Sequence, residues 1–125
     1  MLGSSKIMAF VPTQDYKKAR AFYEGVLGLG VVSEDRFALV MDAAGIRVRI
    51  TKVPDFKLHK YTILGWEVSQ IEKIVSGLEQ RGVQFERYGL PGQDEHGIWT
   101  APGGDKVTWF KDPDGNILSL SQHSA

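Results

Sequence analysis

Arg47 and Arg49 stand two residues apart in an otherwise apolar run, Ile46-Arg47-Val48-Arg49-Ile50-Thr51. On an extended strand this spacing sends both arginines and Thr51 to one face and Ile46, Val48 and Ile50 to the other. Guanidinium groups are planar, permanently charged forks that match the oxygens of a carboxylate, phosphate or phenolate. One reading of the pair is therefore capture of a small anion, and the other is an outer strand with its charges in water. Glu67 follows Trp66 on a second strand-like run, so the two side chains point apart, Trp66 toward the core and Glu67 away from it. In an apolar setting Glu67 would serve as a general base, or would receive a cation or orient an arginine.

Other chemistry finds less support. With no cysteine in the chain, disulfides, thiolate nucleophiles and cysteine metal sites are excluded. Ser119 and Ser121 lack an assignable histidine–carboxylate relay. Gly103-Gly104 follows Pro102 in a hairpin-like stretch instead of preceding a helix, which removes a phosphate-loop reading. His59, Glu67, Asp94, Glu95, His96 and His123 are able to ligate, but Glu95 and His96 adjoin, and neighbours on a strand point apart. His96 lies in the Gly- and Pro-rich stretch 89–97, which reads as a flexible loop able to close over a cleft. Trp99 and Trp109 fall on a late hairpin, where each either stacks on a flat ligand or packs into the core.

The elements that must position these residues follow from periodicity. Residues 6–11 form an apolar strand ended by Pro12. Tyr16, Ala19, Phe22, Tyr23, Val26 and Leu27 then recur at helical spacing, with Asp15 as cap and Gly28 as stop. Strand-like stretches follow at 29–33, 37–41 and 46–53. The pattern restarts with a strand at 63–68. Ser69 and Glu72 have capping-box spacing, Ile71, Ile74, Val75 and Leu78 form a helical stripe, and Gly82 is the stop. Strand-like stretches at 83–87, 98–101, 106–111 and 117–122 complete it. The two halves repeat at an offset of about 55 residues. The expected fold is therefore α+β, with two βαβββ modules at 6–53 and 61–122 in a single domain, 6–123, whose curled mixed sheet lines a cleft. The same alternation turns Met8, Phe10, Ile63, Gly65, Glu67, Ile117, Ser119 and Ser121 toward that cleft.

At 125 residues one domain is the natural size. Fifteen basic residues balance fifteen acidic ones, so no long-range field draws the chain to nucleic acid or anionic lipid. No run approaches the roughly 20 apolar residues of a membrane span, and cytoplasmic location is the default expectation.

Two stretches, Asp15-Tyr16-Lys17-Lys18-Ala19-Arg20-Ala21-Phe22-Tyr23-Glu24-Gly25-Val26-Leu27-Gly28-Leu29 and Phe110-Lys111-Asp112-Pro113-Asp114-Gly115-Asn116, resemble hallmarks of the vicinal-oxygen-chelate superfamily, which includes glyoxalase I, bleomycin-resistance proteins and extradiol dioxygenases. The resemblance covers nearly the whole chain. It implies a divalent metal held by His, Glu or Gln on the first and last strands of each half, acting as a Lewis acid toward two neighbouring substrate oxygens. The matching positions here are Met8, Ile63, Arg49 (Arg47 if the register slips by one pleat) and Ser119, and none suits a hard divalent ion. What remains implied is a metal-free binding protein, similar to the drug-sequestering members and dimeric like them. The expected site is Met8, Phe10, Arg47, Arg49, Ile63, His96, Trp99, Trp109 and Ser119, with an anionic or aromatic small molecule as partner and no cofactor. The alternatives are a glyoxalase-like lyase or dioxygenase with an unconventional divalent metal site, or a metal-independent isomerase in which Glu67 is catalytic.

Overall fold

The structure is a computed structural model, described here for residues 1–124. The chain forms two compact units that divide between Lys57 and Leu58.

In the first unit a 3-10 turn at Leu2–Ser4 precedes β1 (Met8–Thr13), α1 (Tyr16–Arg20), β2 (Gly30–Glu34), β3 (Leu39–Ala43) and β4 (Ile46–Lys52). The sheet order is β1-β4-β3-β2, with β1 parallel to β4 and the other pairings antiparallel. The Asp15 carboxylate accepts hydrogen bonds from the amides of Lys17 at 2.9 Å and Lys18 at 3.3 Å, capping α1 as its side chain chemistry predicts. The expected continuous α-helix to Leu27 is corrected: from Ala21 to Val26 the chain widens into a π-helical turn, closed by the Leu27 amide on the Phe22 carbonyl at 2.9 Å. Gly25, a poor helix former, lies within this turn, where departure from α geometry costs little. The end is a left-handed glycine stop, with the Leu29 amide donating to the Tyr23 carbonyl and the Gly28 amide to the Glu24 carbonyl while Gly28 takes φ 83°.

The second unit repeats the topology. It contains β5 (Thr62–Glu67), α2 (Ile71–Gln80), β6 (Trp99–Thr100), β7 (Lys106–Lys111) and β8 (Ile117–Gln122), in the order β5-β8-β7-β6, with β5 parallel to β8. Two expectations fail here. Residues 83–87 make one isolated bridge, Phe85 to Phe110, in place of a strand. The capping box at Ser69 is absent: Gln70 is the N-cap and offers no side-chain bond. The Ile71 amide instead donates to Oε1 of Gln122 at 2.8 Å, so the last strand supplies the cap.

Each sheet has a helix on one face, α1 against β4 and α2 against β8. The faces toward the helices carry the core. In the first unit Val11, Ala19, Tyr23, Leu39, Met41, Val48 and Ile50 are at most 2% exposed, and in the second Ile71, Val75, Phe110 and Leu118 are at most 1% exposed. Trp66 joins this core, stacked 6.4 Å from Phe110. The Asp112 turn forms as its residues predict. Its carboxylate accepts from the Asp114 and Asn116 amides, both at 2.9 Å, and Gly115 takes φ 90°. Among the described residues no helix is long and apolar enough to cross a membrane.

The borrowed cap has a measurable consequence. Gln122→Ala leaves the Ile71 amide without its acceptor and is expected to cost about 1 kcal/mol, read as a lower urea midpoint at unchanged m-value. Ser69→Ala is expected to leave the midpoint within about 0.5 kcal/mol of wild type.

Candidate functional site

In the first unit the face away from α1 is ordered by the strand register. Met8 pairs with Arg47 and Phe10 with Arg49 across the β1–β4 ladder. Across the β3–β4 ladder Arg47 faces Asp42 and Arg49 faces Val40. Two rows result, Met8-Arg47-Asp42 and Phe10-Arg49-Val40. Met8 is 45% and Phe10 62% exposed, large values for apolar side chains on a sheet. Arg47 Nε lies 3.9 Å from Asp42 Oδ1. The Arg49 guanidinium, half-buried between two apolar neighbours, has no ion-pair or hydrogen-bond partner among the described residues.

The second unit presents a different surface. Trp109 pairs with Ser119, and both Trp99 and Ser121 pair with Val107, which sets all of them on the face away from α2. The two tryptophan rings lie 6.5 Å apart, and Tyr88 lies 5.3 Å from Trp109. The orientation left open in the sequence is thereby resolved, and Tyr88 joins as a member that periodicity could not reveal, because it sits in an irregular segment. Burial, followed by the nearby Glu86 charge, raises the Tyr88 phenol above its ordinary pKa, so at neutral pH it remains an O–H donor. Trp99 Nε1 is fixed by the Pro91 carbonyl at 3.0 Å. Gly65 pairs with Ser119, and a Cβ at Gly65 would stand 2.6 Å from Ser119 Oγ, so glycine makes room for that hydroxyl. Ile63 falls within a register shift between Thr62 and Leu64, which locally breaks the simple alternation.

Two expected site residues lie elsewhere than predicted. His96 is turned toward α2, its Nδ1 3.4 Å from Glu79 Oε1, beside a crevice of about 270 Å³ floored by Val75 and Ile98. Its loop is pinned as well. Gln93 Nε2 donates to the carbonyls of Glu86 and Gly97, both at 2.9 Å, and Asp94 Oδ1 accepts from His96 N at 2.8 Å and Ile98 N at 2.9 Å. These bonds tie the segment to its neighbours in this conformation. The apolar setting expected for Glu67 is also absent: its side chain is 74% exposed and stands 3.7 Å from His123 Nε2.

The metal positions fail on donor chemistry. Met8 offers a thioether, Ile63 a hydrocarbon, Arg49 and Arg47 cations, and Ser119 a single hydroxyl, a set that does not fit a hard divalent ion. Among the described residues no group of three or more His, Cys, Asp or Glu side chains is placed to hold one. His59 stacks on Tyr61 at 4.9 Å.

His123 also contacts Asp105 at 3.2 Å, beside hydrogen bonds to that carboxylate from the Ser124 amide at 2.8 Å and hydroxyl at 3.0 Å. The Ser124 bonds, then His123, hold the Asp105 carboxyl below the usual carboxylate range. With the folded pKa depressed, this clasp is complete above the ordinary aspartate pKa and is lost as pH falls through the lowered value. The Ser124 amide resonance is expected to titrate below the ordinary aspartate range in wild type and to lose that transition in Asp105→Asn.

The family model described as Glyoxalase/Bleomycin resistance protein/Dioxygenase superfamily matches residues 6–120. No curated protein matches the sequence. Among solved structures, a superfamily member from Sphaerobacter thermophilus is 22% identical, with 98% of this chain and 100% of that one covered and a TM-score of 0.75. A glyoxalase family protein from Enterococcus faecalis is 21% identical, with 97% and 99% covered and a TM-score of 0.73. The lactoylglutathione lyase from Agrobacterium tumefaciens is 14% identical, with 95% and 93% covered and a TM-score of 0.74. At these identities the likeness is one of fold.

Proposed function

The chain belongs to the glyoxalase/bleomycin-resistance/dioxygenase superfamily, and from that premise we propose that it is a metal-independent binding protein for a small organic anion with an apolar or aromatic body. The observation that carries this reading is Arg49, a half-buried guanidinium set between Phe10 and Val40 with no partner among the described residues. An arginine on a sheet is stabilised by an opposite charge directly across the ladder, as Arg47 is by Asp42. Arg49 is answered by hydrocarbon. A carboxylate or phenolate oxygen would complete its fork, while Phe10, Met8 and Val40 would cover the adjoining apolar atoms.

Within the second unit, Tyr88, Trp109 and Trp99 form a separate surface suited to stacking of a flat ring. The donor set at Met8, Ile63, Arg49 and Ser119 supports binding over Lewis-acid catalysis. Exposed Ile7, Val32 and Phe37, between 46% and 75% accessible, support action as a homodimer that covers them.

Two measurements test this. Benzoate titrated into ¹⁵N-labelled protein is expected to shift the Arg49 Nε–H resonance. Arg49→Gln is expected to weaken that binding by about tenfold or more, the usual worth of a hydrogen bond to a charged group; unchanged affinity would count against the site. Native mass spectrometry of the freshly purified protein is expected to show a dimer without stoichiometric divalent metal. One metal per chain would overturn the metal-independent reading.

A further inference from the structure

Resting on the reading that Arg49 receives the anion, we infer that Asp42 sets the charge of the ligand: this face selects a monoanion, a carboxylate or phenolate on an apolar body, over a dianion such as a phosphate monoester.

The inference comes from a count of charges on that face. β1 contributes Met8, Phe10 and Pro12, which are uncharged. β4 contributes Arg47, Arg49 and Thr51, and β3 contributes Val40 and Asp42. The β2 residues in the same rows are Gly30 opposite Asp42 and Ser33 opposite Val40. Glu34, next along β2, is opposite Leu39 and engaged by Arg20 at 3.1 Å. Two guanidinium charges against one carboxylate leave a single positive charge, and it resides on Arg49.

Position reinforces the count. Asp42 lies directly across the ladder from Arg47, with its Oδ1 3.9 Å from Nε. Its other oxygen, Oδ2, accepts from the Gly45 amide at 3.4 Å, in a tight turn where Ala44 and Gly45 have φ of 50° and 86°. The carboxylate is thus bonded to the β3–β4 turn, which favours its place beside Arg47. Alternate residues of a strand are separated by about 7 Å, within the Debye length of about 8 Å at physiological salt. A second negative charge on a ligand at Arg49 would therefore meet Arg47 already neutralised and Asp42 repelling it.

The test compares benzoate with phenyl phosphate at pH 8 and constant ionic strength, following the Arg47 and Arg49 Nε–H resonances. Phenyl phosphate is a dianion under these conditions, whereas benzoate carries one charge and the same ring. Wild type is expected to bind benzoate more tightly. Asp42→Asn keeps an acceptor for the Gly45 amide but removes the charge. It is expected to strengthen phenyl phosphate binding by about two- to fivefold, the range of an exposed ion pair, and to leave benzoate within about twofold, with the Arg47 resonance now moving in the phosphate titration. If Arg49→Gln abolishes binding of both probes while Asp42→Asn shifts neither or both equally, the charge-selection inference is overturned and the anion site stands. If neither probe depends on Arg49, or neither binds wild type, the underlying site reading fails as well.

Discussion

The constraint on which both units depend is the parallel pairing of the first strand with the last, β1 with β4 and β5 with β8. A parallel neighbour cannot be reached by a tight hairpin, so the chain must travel away and return. In each unit it does so through a helix and an antiparallel run of strands. That route lays the helix on one face and places the first and last strands side by side within the sheet. Residues at alternate positions of the two paired strands then share a surface. In the first unit this brings Met8 beside Arg47 and Phe10 beside Arg49, although nearly forty residues separate them in sequence.

Much of this was legible because it depends on local periodicity. Val48 and Ile50 are buried and Arg47 and Arg49 point away from them, as alternation requires, and the Asp15 cap and the Asp112 turn form from the side chains that announce them. What was not legible depends on partners distant in sequence. Ser69 has the right spacing to cap α2, yet Gln122, fifty-one positions beyond Ile71, takes the role because β8 runs beside the helix start. The stretch around His96 looks flexible from its glycines. Its bracing bonds run from Gln93, Asp94 and Arg87 to backbone atoms, a pattern that composition does not encode. The aromatic surface was half visible, since Trp99 and Trp109 could be named but not oriented, and Tyr88 belongs to no regular element.

The scaffold and its chemistry are separable in this chain. Strand register determines which positions face away from the helix, and it does so whether those positions hold histidine or methionine. Met8 and Arg49 in the first unit, and Ile63 and Ser119 in the second, are the positions at which the resemblance implies metal ligands, but their side chains offer a cation, a hydroxyl and apolar surface. Replacing a ligand with arginine does more than remove a donor. A guanidinium at such a position would keep an attraction for an oxyanion without the capacity to polarise a bond through coordination.

A guanidinium held between Phe10 and Val40 gives up part of its hydration without the return that a carboxylate partner would supply. Because Arg49 is only half-buried, water still reaches it, and the cost to folding stays small. Under the proposed anion-binding reading, that same water would set the terms of recognition. A bare inorganic anion would have to shed its own strong hydration for one screened charge contact, with little net gain. A carboxylate or phenolate carried on a ring removes water from Phe10, Met8 and Val40 as well, at roughly 25 cal/mol per Å² of apolar surface covered. Under the proposed reading, discrimination at this face would follow from the apolar residues beside Arg49 as much as from its charge.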